Sequence, residues 1–259
     1  MINPESRLGK ALAEGRVAKG IEHFAGNRAM VEIAANLGFD FNMIDMHLSA
    51  FSIETVEDLV TTSLHCGITT LVRVPELHPN TINRVLNMGT NGIIVPDCDS
   101  AEMAKAVVDA VKYQPEGKRM ACPMIRASKF GMVPWKEYYE EAKKNIICCV
   151  IVESEKGVNN LEEIAATPGL DVIWLGAWDL SLSLGIPGAN YTHPTMRYWL
   201  EKASEVCRKN NLVLYTTTAV NTDPEYMKLV CSHANMICMS SDMGIFSKGC
   251  QRILEGKGF

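Results

Sequence analysis

Residues 146–179 have the sequence IICCVIVESEKGVNNLEEIAATPGLDVIWLGAWD, and this stretch decides the fold class. An apolar, β-branched run ends on Glu153, an amphipathic segment follows, and a second apolar run ends on Gly176. A buried strand, a helix and another buried strand, in this order, are typical of a βαβ unit with parallel strands.

The same alternation continues in both directions along the chain and predicts eight strands. Several of the helix-like segments end on Gly just before the next strand, where a left-handed cap favours glycine. Eight βα units in 259 residues predict an α/β fold, a single (β/α)8 TIM barrel domain over residues 1–259. The predicted strands are Arg16 to Glu22, Phe39 to Met46, Thr69 to Pro75, Gly92 to Pro96, Ile146 to Glu153, Asp171 to Gly176, Leu212 to Thr217 and Asn235 to Ser240.

One connection differs from the others. The segment Gln114 to Pro134 is too long and irregular for a simple turn, so we predict it as a candidate active-site loop.

Composition excludes several classes of protein. The formal net charge of -5 provides no basic stripe for nucleic acid. No apolar segment resembles a secretory signal or a membrane span, so we expect a cytoplasmic protein without a membrane partner. Nine cysteines, an odd number with no CxxC pair, indicate reduced thiols and neither a disulfide framework nor a zinc site.

Polar residues at the predicted strand ends are the candidates for chemistry, because catalytic groups in parallel barrels come from the carboxyl ends of strands. Two carboxylates, Glu153 and Asp179, follow adjacent strands and suit a hard cation such as Mg²⁺, Mn²⁺ or Co²⁺. Either could instead cap a helix or pair with a cationic side chain. Five strand ends have such polar residues: Asp45 with His47, Arg73, Glu153, Asp179 and Asp242.

Three further features at these ends could bind or move parts of a substrate. Arg73 could hold a ketone oxygen or a carboxylate through forked hydrogen bonds, or simply pair with a neighbouring carboxylate. His47 is a candidate for proton transfer because histidine is the side chain that most often acts as a general acid or base in enzymes, although a lone loop histidine is more often only solvated. Backbone amides before the helix-like segment LSLSLG could hold a carboxylate; they belong to Gly176, Ala177, Trp178 and Asp179.

Together these stretches resemble the HpcH/HpaI family of class II, metal-dependent pyruvate aldolases, from about Gly15 to about Asp242. The run 151–185 contains a glutamate, GVxNLxEIAxxPGxD and GxxDLSxSLG in the family's order. The other matches are FDFNMIDMHLS for GFDxxxxDxEHG, LVRVP for VVRVP, INRVLNMGTNGIIVP for IKRVLDxGAxGIIVP, and YQPEGKRM for YPPxGxRG.

The resemblance implies a role for each matched residue. Glu153 and Asp179 would ligate the divalent metal, and Arg73 would contact the pyruvate oxygens and the enolate. The backbone around Trp178 and Asp179 would hold the substrate carboxylate, and His47 would take part in proton transfer. We also expect Asp45 and Asn87 in the catalytic set: Asp45 ends a strand beside the histidine, and Asn87 replaces the family's aspartate that pairs with it. The resemblance further implies a homo-oligomer, commonly a hexamer.

The departures from the family pattern concern proton transfer above all. The family's EHG is matched here to Met46, His47 and Leu48, and its VLDxG to VLNMG, with uncharged Asn87. Its QIET becomes IVES, which begins with apolar Ile151, and its GPADLS becomes GAWDLS, which would place Trp178 at the pocket floor. We infer that metal and 2-oxo acid binding survive while the proton-transfer groups are altered.

The predicted function is a metal-dependent carbon-carbon lyase that cleaves or forms 4-hydroxy-2-oxo acids, giving pyruvate and an aldehyde. Two alternatives stay open. One is decarboxylation of oxaloacetate or another enolate reaction at the same site, which needs no base for a 4-hydroxyl group. The other is a catalytically silent barrel that binds a 2-oxo acid.

Overall fold

The computed structural model describes residues 2–218 and 223–257, and its eight strands close into one parallel barrel in chain order. All eight predicted strands are confirmed, each within two residues at either end. The chain therefore folds as a (β/α)8 barrel. The strands are β1 (Ala18–His23), β2 (Phe41–Asp45), β3 (Thr69–Arg73), β4 (Gly92–Val95), β5 (Ile147–Val152), β6 (Val172–Leu175), β7 (Val213–Thr217) and β8 (Met236–Ser241).

Helices surround the barrel, and several of them begin and end as their sequences predict. Ser52 and Ser100 accept hydrogen bonds from amides in the first turns of α3 and α5. Gly38 and Gly67 end α2 and α3 with φ of 90° and 65°, where a residue with a Cβ would be strained. The helices are α1 (Arg7–Ala13), α2 (Arg28–Leu37), α3 (Ile53–Cys66), α4 (Pro79–Asn87), α5 (Ala101–Val111), α6 (Trp135–Asn145), α7 (Glu155–Asn159), α8 (Leu161–Ala165), α9 (Ala177–Ser183), α10 (Pro194–Lys209), α11 (Pro224–Cys231) and α12 (Asp242–Leu254).

None of the helices within residues 2–218 and 223–257 is long and apolar enough to cross a membrane.

Apolar side chains fill two separate layers. One layer lies between the strands and the helices, and the other fills the inside of the barrel. Because neighbouring residues of a strand point to opposite faces, the inner layer takes every second residue. Helix α1 adds Leu8 and Ala11 to this inner layer, at the end of the barrel where the strands begin.

The segment Gln114 to Pro134 does not lie where the sequence analysis placed it. Arg119 donates hydrogen bonds to Asn83 and Asn87 on α4, and Arg126 forms an ion pair of 3.1 Å with Glu57 on α3. The segment therefore covers helices on the outside of the barrel. None of its residues lines the cavity at the carboxyl ends of the strands of this chain, so its role as an active-site loop stays a prediction that this placement does not favour.

Candidate active site

The carboxyl ends of the strands enclose a cavity of about 340 Å³. On β5, Cys149 and Ile151 point into the barrel and are fully buried, and the next inward residue, Glu153, reaches the cavity. The interior of the barrel is thus apolar, and the carboxyl ends of its strands carry charged side chains, as in other parallel barrels that have a site at this end. Six of the predicted site residues line the cavity: Arg73, Glu153, Gly176, Ala177, Trp178 and Asp179.

Asp45 fixes the position of Arg73. The two residues lie opposite each other at the ends of β2 and β3, and the Arg73 Nε donates to the Asp45 Oδ2. The other oxygen of Asp45 accepts the backbone amides of Leu48 at 2.6 Å and Ser49 at 3.2 Å. The guanidinium lies 5.2 Å from the centre of the Trp174 ring. Arg73 therefore pairs with a carboxylate and lines the cavity as well, while Asp45 is buried beneath it.

Glu153 and Asp179 bring two carboxylates to the same cavity. Burial raises the pKa of Glu153 to about 7. The Asp97 amide, which donates to the Glu153 Oε1 at 3.1 Å, lowers this pKa, and the negative charge of Asp179 raises it. Two repelling carboxylates form a favourable place for a hard cation. No group of three or more His, Cys, Asp or Glu side chains suited to a metal occurs in the described part of the chain, so other ligands would be water or substrate.

Gly176 gives Glu153 the space that it occupies. A Cβ at position 176 would lie 2.7 Å from the Glu153 Oε2, closer than nonbonded atoms approach. Helix α9 begins at the next residue without a side-chain cap, so the amides of its first turn are available beside the cavity. Trp178 is 63% exposed and lies at the rim, whereas Trp174 is buried below. The expectation that Trp178 forms the pocket floor is wrong.

His47 does not line the cavity, and its neighbour Leu48 does. The two amides held by Asp45 turn the chain after β2 so that His47 lies aside, with Nδ1 buried and without a hydrogen-bond partner among the described residues. Counted from Asp45, the motif DxEHG has its histidine at position 48. The pairing of that histidine with His47 was therefore one residue out of register, and a catalytic role of His47 stays a prediction that the geometry does not favour.

Asn87 lies far from the cavity in this chain. It is the last residue of α4, at the end of the helix that leads back to the start of β4, and its side-chain oxygen accepts from Arg119 at 3.0 Å. The geometry does not bring Asn87 to His47, Arg73 or Glu153. Its predicted catalytic role thus has no support within the described residues.

Glu22 is a cavity residue that the sequence analysis missed. It follows Ala18 and Gly20 in the inward series of β1 and lines the cavity together with Cys238 of β8. Burial raises the pKa of Glu22 to about 7, although the charge of Arg73 lowers it. The signal was present in the sequence, because the first predicted strand ends on this glutamate.

Residues 24–246 match the HpcH/HpaI aldolase/citrate lyase family. The chain belongs to this family. A 5-keto-4-deoxy-D-glucarate aldolase of Klebsiella pneumoniae is 30% identical over 246 residues, which cover 95% of this chain and 94% of that protein. A 2-dehydro-3,6-dideoxy-6-sulfogluconate aldolase of Pseudomonas putida is 33% identical over 184 residues, 71% of each chain.

Solved structures support the same placement. The crystal structure of an HpcH/HpaI aldolase from Desulfitobacterium hafniense has a TM-score of 0.88 at 27% identity, and the match covers 95% of both chains. HpcH/HpaI aldolases generally depend on a divalent metal. The relatives named here are aldolases, which supports aldolase or closely related lyase chemistry for this chain as well.

Proposed function

We propose that this HpcH/HpaI protein is a divalent-metal-dependent aldolase that cleaves or forms 4-hydroxy-2-oxo acids, with pyruvate and an aldehyde as the smaller partners. The observation that carries the proposal is the placement of Arg73 in one cavity with the carboxylates Glu153 and Asp179. A cation and a guanidinium together suit the oxygens of pyruvate, and both stabilise the negative charge that develops when the carbon-carbon bond breaks.

The residues present fit a divalent cation. Glu153 and Asp179 would hold it, and Gly176 leaves room for the Glu153 carboxylate to face the cavity. Oxygen ligands of this kind accept Mg²⁺, Mn²⁺ or Co²⁺. When bound, the cation would act as a Lewis acid toward the 2-oxo acid.

The chain's own groups do the remaining work of binding and orientation. Arg73 is held at Nε by Asp45 and makes no other hydrogen bond to the described residues, so its terminal nitrogens are available to the ketone or enolate oxygen. We assign the substrate carboxylate to the amides of Ala177 and Trp178, and the start of α9 without a side-chain cap beside the cavity supports this assignment. Leu48 and Trp178 line the same cavity as exposed apolar side chains and would shield a bound substrate in part from water.

Oxaloacetate decarboxylation is the second candidate, and Leu48 is the observation that favours it. The side chain at this position lines the cavity but cannot take a proton from a 4-hydroxyl group. Loss of CO₂ produces the same pyruvate enolate without that proton transfer. Product analysis separates the two reactions, because an aldehyde is formed only by the aldolase.

The proposed function is tested by incubating the metal-loaded protein with pyruvate in D₂O and following the methyl proton signal by NMR. We expect metal-dependent loss of this signal in the wild type and none in Glu153→Ala. His47→Ala should exchange at nearly the wild-type rate, because this side chain does not line the cavity. Bound pyruvate without exchange in any of the three metals would contradict the aldolase and favour decarboxylation or the silent barrel.

The proposal includes a homo-oligomer, which the family resemblance implies. Helix α12 carries exposed apolar side chains, among them Phe246 at 67% and Leu254 at 89%. Light scattering coupled to gel filtration measures the mass, and a monomer of 28.6 kDa would contradict this part of the proposal.

A further inference from the structure

Glu22 stands opposite the proposed cation in the cavity. It is the last inward residue of β1, and β1 lies across the closed barrel from β5, which carries Glu153 at its end. Arg73 comes from β3, midway between them around the ring. A substrate held by Arg73 and Glu153 would therefore present its far side to Glu22.

The groups that face Glu22 come from every neighbouring part of the barrel. Arg73 of β3 attracts its charge, while Asp45 of β2 and Asp242 at the start of α12 repel it. The Cys238 thiol of β8 also lies beside it, and the buried Tyr215 of β7 is near enough for the charge of Glu22 to raise the pKa of the Tyr215 hydroxyl. Burial outweighs these effects and raises the pKa of Glu22 to about 7. A carboxyl group of this kind is present in both protonation states at neutral pH, as a general acid and base requires.

The other titratable groups that line the cavity are unsuited to this task. Arg73 is held at its Nε by Asp45, and a guanidinium group offers only donors and does not serve as a base in proteins. The Cys238 thiol donates to the Ser240 carbonyl at 3.2 Å, and burial raises its pKa well above the ordinary value. Glu153 and Asp179 are the proposed ligands of the cation. Among the described residues of the cavity, Glu22 is the carboxylate without such an assignment.

We propose that Glu22 transfers the proton in this enzyme, from the face of the cavity opposite Glu153. The inference depends on the proposed aldolase function. In cleavage, the Glu22 carboxylate takes the proton of the 4-hydroxyl group, the C3–C4 bond breaks, and the aldehyde carbonyl forms. The electron pair of the broken bond passes into the pyruvate enolate. The Glu22 carboxylic acid then returns the proton to C3, which completes the methyl group of pyruvate and restores the carboxylate.

The same group would exchange the methyl protons of pyruvate with solvent, so the inference can be tested without knowing the aldehyde. The variants are Glu22→Gln, which keeps the shape but cannot accept a proton, and Glu22→Asp, which keeps the carboxylate. Glu32→Gln on the exposed face of α2 is the matched control. Each protein is loaded with saturating metal. Deuterium exchange into pyruvate is measured between pH 5.5 and 9, and pyruvate binding is measured by calorimetry.

We expect the wild-type exchange rate to rise with pH through about 7 and then level off, because the carboxylate is the reactive form. Glu22→Gln should lose about 100-fold or more in rate and lose this dependence on pH, while pyruvate binding changes by less than about fivefold. Glu22→Asp should recover part of the rate and the pH dependence, and Glu32→Gln should match the wild type.

The outcomes separate the two proposals. Wild-type protein that binds metal but exchanges no protons overturns the aldolase function and, with it, the role of Glu22. A Glu22→Gln variant with the wild-type rate and pH profile overturns only the role of Glu22. Loss of exchange together with loss of pyruvate binding also overturns proton transfer, because Glu22 would then serve in binding.

Discussion

At the scale of single residues, the cavity depends on one missing methyl group. Gly176 ends the inward series of β6, and any Cβ there would lie 2.7 Å from both the Cβ and the Oε2 of Glu153. Since Glu153 is pinned on its other side by the Asp97 amide, it cannot move away without losing that hydrogen bond. The position of the proposed metal ligand is therefore set by its neighbour.

Gly176→Ala should weaken metal binding about 10- to 100-fold, because displaced supporting groups cost a metal site roughly this much. Titration of each protein with the metal in a calorimeter measures the dissociation constant. Ala177→Gly is the control, since it removes a methyl group beside the same cavity without entering the space of Glu153. Equal losses in the two variants would contradict a specific contact between position 176 and Glu153.

Glu22 should also affect how the metal-free protein depends on pH. Its pKa is about 7 in the folded protein against 4.5 for the ordinary group, so the folded state binds more protons than the unfolded state between these values. The contribution of Glu22 to the free energy of unfolding therefore decreases as pH rises from about 4.5 to 7. Glu22→Gln cannot ionise and lacks this loss. Its free energy of unfolding, relative to that of the wild type, should therefore be higher at pH 8 than at pH 5 by about 1–3 kcal/mol. Urea unfolding of both proteins at pH 5 and pH 8 measures this. The same difference in free energy of unfolding at the two pH values would contradict the raised pKa of Glu22.

At the scale of elements, the alternation of inward and outward side chains along each strand explains which site residues could be predicted from the sequence and which could not. The ends of all eight strands were predictable from apolar runs, and with them the places of Arg73 and Glu153. The alternation of Ala18 and Gly20 would also have indicated Glu22. The turn after β2 was not predictable in this way, because Asp45 accepts two amides there and thereby exposes Leu48 to the cavity.

The junction of β1 with α12 depends on Asp242, which the sequence analysis grouped with the site. Its two oxygens accept the amides of Phe24 at 3.0 Å, Ala25 at 3.1 Å and Met243 at 2.7 Å, and His23 lies 3.4 Å away. Burial acts to raise the pKa of Asp242, but the nearby His23 ring and the donating amides of Phe24 and Ala25 together lower it. This carboxylate therefore holds two elements together.

Asp242→Asn should cost about 1–3 kcal/mol, because the amide presents a donor where an acceptor is needed. The stability that the carboxylate adds is present above its unfolded pKa, about 3.8, and is lost as pH falls below that value. The difference in urea midpoint between variant and wild type should thus shrink from pH 6 to pH 3. Asp58→Asn at an exposed position is the control. A difference in urea midpoint between Asp242→Asn and wild type that stays constant from pH 6 to pH 3 would contradict an ionised Asp242 in the folded protein.

At the scale of the whole molecule, long-range packing limited the sequence analysis. Asn87 and the segment Gln114 to Pro134 were assigned to the site by pattern alone. Their contact runs through Arg119, whose 3.0 Å hydrogen bond to Asn87 spans 32 residues on the outside of the barrel. Local periodicity carries no information about such a contact, whereas it fixes the strand ends well.

The two ends of the barrel have separate tasks. The carboxyl ends of the strands carry the charged cavity, and the opposite end is closed by α1, a helix that was not among the predicted elements. Leu8 of α1 is fully buried in the inner layer, and its amide donates to the Thr69 hydroxyl at the start of β3. Because this contact is remote from the cavity, it should affect stability and not chemistry.

Leu8→Ala should lower the free energy of unfolding by about 2–5 kcal/mol, since it removes buried methyl groups where the closed barrel cannot collapse around the gap. Leu12→Ala, half-buried on the same helix, should cost clearly less. Urea unfolding measures both costs, and pyruvate exchange at low temperature measures the chemistry of the folded protein. Wild-type exchange in folded Leu8→Ala would separate the two ends of the barrel, and a loss of exchange without unfolding would show that they are coupled.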